Sequence, residues 1–208
     1  MRAYVINLKR SPERLKQFLD RWEKIVGDAI PLTVFTGYDS SIGAVPWWWK
    51  SHKGAFGCYM SHSLLSTRII EDGAGEPVMI FEDDALLCDD FMEKLPDVMF
   101  ESSIQNVDML WLGGASRSKD KFIGKHIKVG SKVLGAYAYI VMPHYIEVYN
   151  ELLMAAPTNL NNRHHYHGDI KMMHANRHTI QAKPKRWMVG CIAGVSTISG
   201  VFKEQRNT

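Results

Sequence analysis

The chain lacks the features that mark several protein classes. It has three cysteines, Cys58, Cys88 and Cys191, and no CxxC pair. So odd and sparse a set excludes a disulfide framework and a zinc knuckle, and makes a reducing, cytoplasmic setting the default expectation. No apolar run approaches the roughly 18 residues that a membrane-spanning helix needs. The apolar stretch after Met1-Arg2 is too short for a secretory leader. No repeat, low-complexity segment or linker interrupts the sequence. Neither sign of charge dominates: 25 Lys and Arg stand against 22 Asp and Glu, a net of +3. A polyanionic partner is therefore permitted and not required. What is present is ordinary for a globular chain, 208 residues with 46% hydrophobic and 23% charged. With no linker to divide it, one domain over residues 1–208 is expected.

The informative stretch is Val78-Met79-Ile80-Phe81-Glu82-Asp83-Asp84. Four apolar residues after Gly75-Glu76-Pro77 read as a short buried strand. The strand ends in three consecutive carboxylates, at the edge where open α/β sheets bind ligands. Adjacent carboxylates repel, and burying them costs several kcal/mol without a positive partner. A divalent cation that takes oxygen ligands is one compensation, and a solvated acidic turn is the other reading.

Upstream, residues 3–8 read as a first strand. Ser11 and Pro12 then suit the N-cap and first turn of a helix, with Leu15, Phe18, Leu19, Trp22, Ile25 and Val26 as its apolar stripe. Asn7, Arg10 and Arg14 fall at the strand end and the helix start, a place suited to phosphates, though solvated surface arginines are as plain a reading. Residues 32–36 form a second strand. Residues 40–54 form an irregular loop with Trp47, Trp48 and Trp49, of which at least one is expected to be exposed, where it would stack on a sugar or a base. The segment from Gly54 to Leu65 leads into a helix ending near Glu71. Ser61 and His62 lie near its start and suit a ligand contact. As helix neighbours they point about 100° apart, which excludes a serine-hydrolase pair.

Downstream of the triplet, Asp89-Asp90 start a helix that bends near Pro96. Residues 108–112 form a strand ended by Gly113-Gly114. A basic segment at 117–132 reads as a loop or hairpin, with a solvated face and a phosphate-contacting surface both open. Residues 135–141 are a strand, Pro143 opens a helix, and residues 179–182 are the last clear strand. His164, His165, His167, Asp169 and His174 crowd eleven residues but fit no standard ligand spacing. They read as a polar loop, with His167 a candidate ligand contact.

Taken in order, several pieces resemble glycosyltransferase family 25, the lipooligosaccharide galactosyltransferases and related collagen sugar transferases. They are Val5-Ile6-Asn7-Leu8-Lys9-Arg10-Ser11-Pro12-Glu13-Arg14, Gly54-Ala55-Phe56-Gly57-Cys58-Tyr59-Met60-Ser61-His62, Phe81-Glu82-Asp83-Asp84, Gly135-Ala136-Tyr137-Ala138-Tyr139-Ile140-Val141, Asp169, and Pro184 with Ser196-Thr197-Ile198. The resemblance implies a GT-A-like α/β fold, with a mainly parallel central sheet flanked by helices. It implies a donor-binding half at about 1–115 and an acceptor half at about 116–208. It further implies an inverting transfer from a UDP-sugar with Mn2+ or Mg2+. Asp84 and Asp83 would hold the metal. Glu82 or Asp83 would lie near the ribose, and Asn7, Arg10, Arg14, Ser61 and His62 on the donor side. Asp169 would be the general base, its plainer reading being a helix N-cap. The three tryptophans and the histidine loop match no family motif. They leave the acceptor open between a glycan and, as in some phage enzymes, a hydroxylated base in DNA, which would have to be flipped or presented. An inactive UDP-sugar-binding module is a further reading. A phosphoryl-accepting receiver domain is excluded, because a full strand–helix–strand–helix unit precedes the acidic strand.

Overall fold

The computed structural model describes residues 1–49, 51–73, 75–116, 121–130, 133–155, 179–192, 194–195 and 202–203. Strand β1 (Arg2–Asn7) leads to helix α1 (Pro12–Ile25) and then to β2 (Leu32–Thr36). Helix α2 (Lys53–Glu71) precedes β3 (Val78–Glu82). The chain continues through β4 (Ala85–Leu87), α3 (Phe91–Ile104) and β5 (Met109–Trp111). Short strands β6 (Ala115–Ser116), β7 (Phe122–Ile123), β8 (Ile127–Val129) and β9 (Val133–Leu134) follow. Then come β10 (Ala138–Val141), α4 (Ile146–Met154), β11 (Gln181–Pro184), β12 (Val189–Cys191), β13 (Gly194–Val195) and β14 (Phe202–Lys203).

Eight strands form one sheet in the order β2-β1-β3-β10-β5-β11-β8-β7. The expected α/β architecture is present, but the sheet is mixed rather than mainly parallel. The pairings β1–β2, β1–β3 and β5–β11 are parallel, and the four others are antiparallel. The reason lies in the paired strands β6 and β9. The chain leaves β5 at its carboxyl end along β6 and returns along β9, so it enters β10 running the opposite way. Two glycines permit the return. Gly135 turns at a φ of 102°, and Gly114, at 147°, passes so close to β9 that a Cβ would lie 2.3 Å from Val133 Cγ1 and 2.7 Å from the Leu134 carbonyl oxygen.

The apolar run in β3 is the centre of the core. Val78, Met79, Ile80 and Phe81 are all fully buried. Their side chains alternate, as a strand period of two requires. Met79 and Phe81 pack with Phe18 and Trp22 of α1 and with Phe91 and Leu95 of α3. Val78 and Ile80 pack with Leu65 and Ile69 of α2 and with Tyr149 and Leu153 of α4. Helices thus cover both faces, and each fully buried large side chain contributes about 1.5–3 kcal/mol. None of the helices among the described residues is long and apolar enough to cross a membrane.

Several local expectations change. Ser11 holds the N-cap position of α1 but makes no side-chain capping bond. Strand β4 was not legible, because three residues carry no period. Helix α2 starts at Lys53, well ahead of Ser61, so Gly54 and Gly57 are helical. Gly57 lets the 38–40 loop lie against the helix. A Cβ there would sit 2.9 Å from both the Tyr38 carbonyl oxygen and Ser40 Oγ. Alanine favours a helix by up to about 1 kcal/mol over glycine, whereas overpacking costs about 1–3 kcal/mol. A backbone oxygen cannot swing aside, so the clash wins. Gly57→Ala is expected to lower the thermal midpoint by a few degrees; a raised midpoint in a thermal melt would contradict this packing.

Candidate functional site

Parallel strands β1 and β3 end side by side, next to the start of α1 and the first half of α2. A cleft opens there, with about 560 Å³ of empty space including its solvent-facing mouth. Every residue that lines it lies between Ile6 and Asp83.

The acidic turn is held from three directions. The Asp83 backbone N–H donates to the Ile6 carbonyl at 3.1 Å, tying the turn to β1. Asn7 is buried, and its Nδ2 donates to Asp83 Oδ2 at 2.7 Å and to the Ser11 carbonyl at 3.0 Å. One amide thus joins the end of β1, the start of α1 and the carboxylate. The Arg14 guanidinium contacts Asp83 Oδ1 and lies 3.3 Å from Asp84 Oδ2. Burial pushes the Asp83 carboxyl up to about 6 against the pull of Arg14 and Asn7, and the neighbouring Asp84 and Glu82 push the same way.

Glu82 turns to the other wall. Its Oε1 lies 3.3 Å from Cys58 Sγ and 3.3 Å from His62 Nε2, both on α2. His62 is fully buried, with Nδ1 2.7 Å from the Tyr139 hydroxyl, which lies 2.6 Å from the Tyr149 hydroxyl. Burial raises both phenols, so they stay protonated. Ser61 Oγ accepts from the Tyr38 N–H at 2.8 Å and donates to the Gly57 carbonyl at 2.7 Å. Its hydroxyl fastens the 38–40 loop to α2. Arg10 lines the cleft and donates through Nε to Asp39 Oδ2 at 2.7 Å.

The fold thus brings Arg10, Arg14, Ser61, His62, Glu82 and Asp83 to one cleft, with Asn7 behind it on Asp83 and Asp84 beside it on Arg14. The tryptophans divide. Trp47 is 86% exposed, whereas Trp49 is buried, stacked on Tyr59 and edge-on to Phe56. Asp169, His164, His165, His167 and His174 lie outside the described residues. Sequence reasoning missed Cys58, Tyr139 and Tyr149. The signal for Cys58 was its place four residues before His62, one turn away on a helix, which a correct start for α2 would have exposed.

The acidic turn suits a divalent ion by charge and by donor type. Asp83 and Asp84 face one guanidinium, which leaves one negative charge to balance, and Glu82 carries another beside His62 and Cys58. All the candidate donors of the turn are carboxylate oxygens, which suit Mn2+ or Mg2+. Asp83 already engages both oxygens with Arg14 and Asn7.

No curated protein sequence matches the chain. Solved structures with a similar fold include a glycosyltransferase involved in the glycosylation of the major capsid of PBCV-1, at 8% identity over 78% of this chain and 72% of that one, with a TM-score of 0.41. A second is a Drosophila beta-1,4-galactosyltransferase 7 mutant in complex with manganese, UDP-Gal and xylobiose, at 12% identity over 92% and 70% of the two chains, TM-score 0.45. A third is UDP-glucose pyrophosphorylase complexed with UDP-glucose, at 10% identity over 88% and 73%, TM-score 0.45. A family-level comparison of the sequence itself matches residues 1–133 to glycosyltransferase family 25, described as a lipopolysaccharide biosynthesis protein family. That match takes in β1, α1, α2 and β3, hence the whole lining of the cleft, and the chain belongs to glycosyltransferase family 25.

Proposed function

We propose that this glycosyltransferase moves a sugar from a UDP-sugar to a hydroxyl of a glycan, such as a surface oligosaccharide, with inversion at the anomeric carbon. The observation that carries the reading is the Asn7–Asp83–Arg14–Asp84 network at the joint ends of β1 and β3. A family described by lipopolysaccharide biosynthesis favours a glycan acceptor over a base in DNA.

In the reaction the acceptor oxygen bonds to the anomeric carbon. The bond from that carbon to the diphosphate oxygen breaks, and UDP leaves. The acceptor proton passes to a general base, for which Asp169 is the candidate. Asp84 would hold Mn2+ or Mg2+, with Asp83 as its neighbour; the ion supplies Lewis-acid stabilisation of the leaving diphosphate. Arg14 and Asn7 fix the acidic turn. Arg10 and the positive end of the α1 dipole would face phosphate oxygens. Glu82 would take the ribose. Residues 1–115 form the donor half, consistent with the cleft lining. Residues 116–208 and exposed Trp47 serve the acceptor, with His167 as a contact.

The test is a panel of nucleotide-sugars, assayed for hydrolysis and transfer with Mn2+, Mg2+ or a chelator. Turnover confined to UDP-sugars with added metal is expected; turnover of another nucleotide class alone would reject the donor. Asp169→Ala is expected to lower kcat by about 10²–10⁴-fold with donor affinity retained. Full activity in that variant assigns the base elsewhere. Steeply salt-dependent retention of duplex DNA would instead favour the base acceptor.

A further inference from the structure

We propose that Cys58, His62 and Glu82 form a second cation site in the cleft wall, for a borderline-soft divalent ion such as Zn2+. The site shares Glu82 with the acidic turn but adds a thiolate and an imidazole, and its binding does not depend on the sugar-transfer reading. One ligand atom from each residue lies within 4.8 Å of the other two. Cys58 and His62 sit one turn apart on α2, and Glu82 reaches them from the end of β3.

The spacing matches a metal polyhedron. Zinc bonds of roughly 2.0–2.3 Å in a tetrahedron place neighbouring ligand atoms about 3.3–3.8 Å apart. Glu82 Oε1 is already 3.3 Å from the sulfur and 3.3 Å from Nε2. The remaining sulfur–nitrogen edge, inside 4.8 Å, has to close by up to about 1.3 Å.

The surroundings of His62 serve the same end. Metal-bound imidazoles donate their other ring N–H to an outer partner, which fixes the tautomer and ring orientation. Here Nδ1 faces the Tyr139 hydroxyl at 2.7 Å, and that hydroxyl meets Tyr149. With the proton on Nδ1, Tyr139 accepts from His62 and donates to Tyr149, and the Nε2 lone pair points toward Glu82. The ring is fully buried, so it cannot turn away.

The donor set decides the ion. Thiolate with imidazole selects Zn2+ over Mg2+ or Mn2+, which prefer the all-oxygen turn at Asp84. On binding, the Cys58 thiol gives its proton to solvent and its sulfur bonds the metal. Three protein ligands leave a fourth position, and all three residues line the cleft, so that position opens to it.

Equilibrium dialysis of the full chain with Zn2+, and absorption spectroscopy with Co2+ as a substitute, test this. One bound equivalent and a thiolate-to-Co2+ charge-transfer band in the near ultraviolet are expected. Cys58→Ala should abolish the band and weaken Zn2+ binding by more than about 100-fold, beyond the 10–100-fold cost of losing an outer partner. Glu82→Gln should weaken binding with the fold intact, which circular dichroism checks. Cys88→Ala and Cys191→Ala should keep the band, as should Asp84→Ala. A band that survives in Cys58→Ala, or Zn2+ bound equally by wild type and that variant, overturns the site. So does a wild-type protein that binds neither ion.

Discussion

Asp84→Ala is expected to reduce metal-dependent transfer by about 10³-fold and to leave the fold standing. The magnitude follows from Lewis-acid stabilisation of a leaving diphosphate, worth several kcal/mol, at a factor of ten per 1.36 kcal/mol. The fold is expected to stand because truncation gives up the 3.3 Å ion pair with Arg14 but leaves the Asp84 carbonyl accepting from the Ile192 N–H at 2.9 Å. Asp83 also keeps Asn7 and Arg14. Steady-state rates titrated with Mn2+ against a chelated control, together with a thermal melt, separate the two effects. An Asp84→Ala protein with wild-type turnover and an unchanged metal requirement would move the ion elsewhere.

Arg14→Ala should unfold the chain more easily as well as impair it. Asp83 has 8% of its side chain exposed, and Arg14 29%. Removing one partner of a buried ion pair costs about 3–5 kcal/mol, because the other charge is left without compensation. Water reaches the arginine in part, so a loss of about 2–3 kcal/mol is the fair expectation. In a chain of this size that lowers the thermal midpoint by roughly 5–10 °C. The discriminating experiment is a double variant. Arg14→Ala with Asp83→Asn removes the stranded charge yet leaves an amide oxygen to accept from Asn7, so at least half the lost stability should return. If Arg14→Ala melts within a degree of wild type, Arg14 and Asp83 act only as a surface pair.

The cleft was legible where a residue's neighbours in sequence are also its neighbours in space. The apolar residues before Glu82 place three carboxylates at a strand end. Asn7 and Arg14 fall where a strand passes into a helix, and the folded chain joins both to Asp83. The wall formed by α2 was not legible. Gly54 and Gly57 are poor helix formers, so local propensity places the helix start too late. Only the approach of Tyr38 and Ser40 explains why glycine is wanted inside that helix. With the start misplaced, Cys58 was not seen to share a helical face with His62. The direction of β10 was equally hidden, because it is set by β6 and β9, two residues each, too short to carry any hydrophobic period. The acidic base expected at Asp169 rests on the family resemblance alone.

The position of β10 also bears on how the protein is made. It pairs with β3 along residues 78–81, on the side away from β1. A ribosome that has finished the entire cleft lining has not yet made the strand that closes this edge. Through that interval a nascent chain carries four apolar residues on an open strand, the kind of surface that recruits other strands and chaperones. The stretch matched to the family, residues 1–133, stops just short of β10. Cut out on its own, it would bear the cleft on a sheet split open at its most apolar strand, and would be expected to aggregate rather than stay monomeric.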